Sequence, residues 1–224
     1  MKMLTVQEIQ AAGLSDWSKL AQALHARFLA SSFAAGVGFA QAAGKLAGAH
    51  ELDVRVTATF VDVRLVTPGA VHRDADGAEQ SWPSVTQLDV DVARQISALA
   101  AERGLRPDPT GIFQSELGLD TADADQIGPF WAALLTGDAA NYRDGEVVDP
   151  TNCAPNLWFQ QTTPHEAPRQ RFHFDIWLPI ALAPARIAAV LAAGGVVTDD
   201  TEPSFTVVAD AQGNRACVCT IEGR

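Results

Sequence analysis

The stretch RQRFHFDIWLP, residues 169–179, decides how the second half of the chain is read. It alternates strictly. Phe172, Phe174, Ile176 and Leu178 fall on one side, and Arg171, His173, Asp175 and Trp177 on the other. Period two with one fully apolar face predicts a β-strand. The opposite face carries a histidine, an acid, an arginine and a tryptophan. His173 could be a metal ligand, a proton carrier or a polar residue on a wet sheet, and the strand by itself does not choose.

Working outward, RFHFDIWLPIALAPARIAAVLAAGG (171–195) reads as strand, turn, helix and glycine stop. Pro184 suits a first helical turn and Gly194 the end. The same pattern stands earlier, in SELGLDTADADQIGPFWAALLTG (115–137). Each unit is followed by further strands: APNLWFQQT (154–162) in the first, SFTVVAD (204–210) and RACVCTI (215–221) in the second, joined by the turn DAQGN. The pattern is βαβββ written twice. Two such units pair into curved sheets, and a cleft between them is the natural place for a ligand.

The part before RGLRPDPTG (103–111) reads differently. That stretch holds two prolines and two glycines and is the expected linker. Ahead of it, residues 5–12 form a short helix ended by Gly13, and 23–31 alternate as a strand. Residues 31–48 form a small-residue helix with Phe33, Val37, Ala40 and Leu46 on one face. Two alternating runs follow, ELDVRVTA and TFVDVRLVT, then a polar, turn-rich stretch at 69–83 that reads as a loop or hairpin tip. The last element is a helix from VTQLDVDVARQI onward, with Leu88, Val92, Ile96 and Leu99 as its stripe. Asp89 and Asp91 sit in its first turn, and Gly104 stops it.

Composition narrows the function classes. The formal net charge is −11, which repels phosphate backbones and anionic lipid, so no nucleic-acid or membrane partner is expected. No apolar run approaches the ~20 residues needed to span a bilayer. The start, MKMLTVQEIQAAGLSDW, lacks a hydrophobic signal core. Three cysteines, Cys153, Cys217 and Cys219, suit a reducing compartment without a disulfide framework. The expected location is cytoplasmic.

Two family resemblances follow from these residues. The repeat, with HFDIWLP and VVADAQGNRACV, resembles the glyoxalase/bleomycin-resistance/dioxygenase group, the vicinal-oxygen-chelate superfamily, over residues 113–224. Residues 1–104, with LSDW, ALHARFLASSFAAGVGFAQAAGKLAGAHE, TFVDVRLVT and VTQLDVDVARQI, resemble pterin-4a-carbinolamine dehydratase, with 105–112 as the linker. The resemblances imply an α+β chain. A dehydratase-like antiparallel four-stranded sheet with helices on one face is followed by a paired βαβββ glyoxalase-like domain, and the dehydratase family is usually oligomeric, so a homodimer is expected.

The resemblances also imply sites. Dehydratases carry His-His-Pro after the long helix and a further His at the end of the last strand, and these move protons as the 4a-hydroxyl leaves the pterin ring. Here His50 falls on the first His and Glu51 on the second, while the strand-end His falls near Thr67 or Pro68. His50 and Glu51 are the candidate catalytic residues. Metal-bearing chelate-fold relatives supply ligands from the first and last strand of each repeat, positions that read Gln114, Gln160, His173 and Cys217. Two amides and a thiol beside one histidine are a poor set for a divalent cation, so no metal or other cofactor is expected. A ligand cleft lined by Gln114, Trp158, Gln160, Arg171, His173, Asp175, Trp177 and Cys217 is expected instead, for a small molecule that is pterin-like or another heterocycle. Two functions remain open: a lyase-type metabolite enzyme with degenerate motifs, and a metal-free binding protein of the bleomycin-resistance type.

Overall fold

The computed structural model describes residues 1–47, 50–74, 76–112, 116–164, 174–177 and 183–219. The chain divides into two compact units, Met1–Gln114 and Ser115–Arg224.

In the first unit, Thr5 and Glu8 form a reciprocal capping box that starts α1 (Val6–Ala11). There follow β1 (Ser18–Leu20), β2 (Ala23–Leu29), α2 (Phe33–Ala47), β3 (Leu52–Val56), β4 (Phe60–Leu65), β5 (Thr67–Arg73), β6 (Glu79–Ser84), α3 (Gln87–Glu102) and β7 (Arg106–Pro107). The strands β1-β2-β4-β3 make an antiparallel sheet. Alternation sorts its faces. Leu24, Ala26 and Phe28 of β2 and Val61, Val63 and Leu65 of β4 are buried against Phe39 and Ala43 of α2 and Val90, Ala93 and Ile96 of α3. The outer face is charged: the Arg27 guanidinium donates twice to Asp62, at 2.6 and 2.8 Å, and stacks 3.9 Å above the Phe60 ring. The fold is therefore the antiparallel sheet with helices on one face that the sequence implies.

Two expectations need adjustment here, while the polar stretch at 69–83 lies as expected in a hairpin, β5–β6, tethered by a hydrogen bond from the Met3 amide to the Val71 carbonyl. The segment read as linker packs on the first unit: Leu105 is buried, Arg106 and Pro107 pair with β2 as β7, and the Asp108 amide donates to the Arg27 carbonyl. On α2 the stripe Phe33, Val37 and Leu46 faces outward, at 57%, 44% and 37% exposure, while Gly36, Phe39, Ala43 and Ala47 face the core.

The second unit contains β8 (Glu116–Thr121), α4 (Ala124–Thr136), a 3-10 turn (Ala139–Asn141), β9 (Tyr142–Arg143), β10 (Glu146–Val147), β11 (Asn156–Gln161), β12 (Phe174–Trp177), α5 (Ala183–Ala192), β13 (Val196–Asp199), β14 (Phe205–Ala209) and β15 (Arg215–Cys219). Two four-stranded sheets have matching order, β8-β11-β10-β9 and β12-β15-β14-β13, and in each the first strand lies parallel to the last. This is the duplicated βαβββ pattern. One apolar face of each sheet packs on α4 and α5, around Trp131, Phe130, Leu134 and Val190. The DAQGN turn is a structural clamp. Asp210, 4% exposed, accepts the Gln212 and Asn214 amides and the Trp131 indole N–H at 3.0 Å. Cys153 is exposed, Cys217 half-buried and Cys219 buried. Among the described residues no helix is long and apolar enough to cross a membrane.

Candidate functional site

His50 stands just before β3, its amide donating to the Ala47 carbonyl at the end of α2. Its imidazole is nearly closed off from solvent, at 5% exposure, and Nε2 lies 2.8 Å from Oδ1 of Asp89, whose side chain is fully buried. Asp89 is the third residue of α3 and closes a capping box with Thr86. Its other oxygen, Oδ2, accepts the Thr86 amide at 2.7 Å, the Thr86 hydroxyl at 2.9 Å and the Thr67 hydroxyl at 2.7 Å. The two threonine hydroxyls are 2.9 Å apart. Buried polar groups cost free energy unless hydrogen-bonded, and this carboxylate is bonded at both oxygens.

The backbone explains why these residues meet. Leu52 pairs with Leu65 in the antiparallel β3–β4 ladder. Continued two places, that register sets position 50 opposite position 67, on one face of the sheet. The first turn of α3 lies over this sheet end and supplies Asp89 to both. Chemically, an acceptor-only carboxylate orients an imidazole and holds its Nε2 as donor, leaving Nδ1 as the nitrogen that can take or give a proton. Sequence reading found His50 but placed Asp89 only as a first-turn acid. The signal was present in the T-Q-L-D spacing of a capping box, Thr86 to Asp89. Glu51 is exposed to solvent.

Of the expected cleft residues, Gln114, Arg171 and His173 lie outside the described residues, and Asp175 and Trp177 are described through their backbone. Gln160 stands on β11 beside Asp120 of β8, and Cys217 on β15 beside Asp175 of β12. Among the described residues no group of three or more His, Cys, Asp or Glu stands together to hold a metal.

What the face away from α4 and α5 does present is an aromatic platform. Arg143, Glu146, Trp158 and Gly118 form one row across β9, β10, β11 and β8. The Trp158 indole lies over Gly118, where a Cβ would come within 3.1 Å of the ring, and Trp158 remains 39% exposed. Gln160 and Asp120 make the next, exposed row.

No curated protein sequence matches the chain. Among solved structures it is similar to a transcriptional coactivator/pterin dehydratase from Brucella melitensis, with 27% identity over 44% of this chain and 99% of that one and a TM-score of 0.36. It is also similar to a hypothetical protein from S. aureus, with 14% identity over 49% of this chain and 94% of that one and a TM-score of 0.32. Residues 116–219 match the family of glyoxalase-like domains.

Proposed function

We propose that the chain is a lyase-type small-molecule enzyme that removes water from a pterin-like 4a-hydroxy substrate, with His50 as its proton-transfer group and a glyoxalase-like domain fused behind it. The observation that supports this most is the buried His50–Asp89 pair. Departure of a hydroxyl needs a proton delivered to oxygen, and an imidazole oriented by a buried carboxylate is suited to deliver it. The hydroxyl leaves as water with that proton, the adjacent ring N–H gives up its proton as the C=N bond forms, and Glu51, next in sequence and in solvent, would return a proton to His50. The reading includes a cytoplasmic protein, since three cysteines, an odd and small number, suit a reducing compartment. It also includes a homodimer formed through the exposed apolar face of α2.

The test is dehydration of a synthetic 4a-hydroxytetrahydropterin by the full chain. His50→Ala is expected to lower kcat by about 100-fold or more, the usual contribution of a positioned acid–base group. A wild-type rate equal to the uncatalysed background would refute the reading.

A second reading is favoured by Trp158, a large aromatic left exposed above a glycine. In it, the glyoxalase-like domain binds a planar heterocycle by stacking and without metal, whatever the first unit does.

A further inference from the structure

The two units differ in what their unexplained residues can do. The buried His25 and the His72–Trp82 contact on the hairpin each lack a second group that would define a site. Thr67 does not. It is the one member of the His50–Asp89 network contributed by the sheet end opposite His50, 22 residues from Asp89 in the chain. Thr86 and Asp89 belong to one helix end and would cap it wherever it lay.

We propose that Thr67 is a positioning residue: its hydroxyl ties the start of α3 to the β3–β4 sheet end and so holds Asp89 Oδ1 against His50 Nε2. The geometry supports each step. Oδ2 receives Thr67 at 2.7 Å together with two donors from Thr86, so its lone pairs are occupied. Oδ1 is then the oxygen presented to His50, at 2.8 Å. Thr67 is 5% exposed and Thr86 and Asp89 are fully buried, so water does not substitute readily for a lost hydroxyl. Without the Thr67 bond the helix end is held against the sheet only by packing and by the His50 contact itself, and that contact loosens. The fixed Nε2–H leaves Nδ1 as the working nitrogen. That last consequence rests on the dehydratase reading, but the positioning itself does not.

The full-length protein, labelled with ¹⁵N-histidine, gives a readout independent of activity. Wild type is expected to show one His50 ring N–H, on Nε2, protected from exchange with solvent. In Thr67→Val, which keeps shape and removes the hydroxyl, that proton should exchange about tenfold faster, the effect of losing one hydrogen bond to a carboxylate. Thr67→Ser should restore it. A wild-type His50 protonated on Nδ1 overturns the proposal, and needs no variant to fold. So does a Thr67→Val protein, folded by circular dichroism, with wild-type exchange. The dehydration assay is run in parallel: kcat about tenfold lower with KM unchanged in Thr67→Val is the expected split. If wild type has no dehydratase activity, the enzyme reading fails while the exchange measurement still decides the role of Thr67.

Discussion

His25 is a second buried histidine, set opposite an arginine rather than a carboxylate. It lies on β2, 7% exposed, opposite Arg64, which donates to Asp53 at 2.9 Å. Burial pushes its imidazole down to about 4, and the Arg64 charge adds to this against Asp53 and Asp62. The unfolded chain takes up this proton near 6.5 and the folded chain only near 4. Between those values the unfolded state binds more protons, so stability is full above about pH 6.5 and falls as the pH drops toward 4. The loss is about 3 kcal/mol. Melting temperatures of wild type and His25→Gln, measured from pH 7.5 to 4.5, check it: the wild-type curve should fall more steeply, and parallel curves would rule it out. At this scale the sequence was half legible. Strand alternation set His25 on a strand and the family resemblance singled out His50, but partners depend on non-local register. Asp89 reaches His50 across 39 residues, and no local period reports that.

Among the elements, the duplicated βαβββ unit was legible because each helix ends on a glycine. Gly137 and Gly194 have φ of 85° and 91°, where a side chain would be strained. Strands β9 and β10, two residues each, were not, since two residues carry no periodicity. The row across β8 and β11 that sets Trp158 beside Gly118 was not legible either, since the pairing of strands distant in sequence leaves no local period, and it carries a prediction about β8 and β11. If their exposed face stacks a planar heterocycle, titration with a pterin should quench tryptophan fluorescence saturably. Trp158→Leu should weaken that binding by about twofold to tenfold, the range of a single aromatic contact. Gly118→Val, which fills the space beneath the indole, should weaken it too. Quenching with unchanged affinity in both variants would place the ligand elsewhere.

For the whole molecule, the exposed stripe of α2 matters most. Periodicity identified Phe33, Val37 and Leu46 as one face, but the core took the other, through Gly36, where a Cβ would meet Val56 at 2.9 Å and Val61 at 3.1 Å. Hydrophobic period alone cannot tell a face that meets the core from one that meets a partner. Large apolar side chains left in water favour association. A second copy fits the charge better than a charged partner does. Two chains of net charge −11 repel one another, so a stable contact between them must be nearly free of acids. The α2 segment contains no Asp or Glu and one Lys, Lys45. Its Gly44 and Ala40 leave room for close approach of a second helix. Sedimentation should therefore show a species of about twice 23.8 kDa. Val37→Glu, at a position already 44% exposed, should leave the fold intact and shift the protein to monomer by placing two carboxylates against each other at the contact. Added salt screens the long-range repulsion between copies and should tighten the wild-type dimer. A monomeric wild type, or a Val37→Glu protein as dimeric as wild type, would show that copies of the chain do not meet through α2.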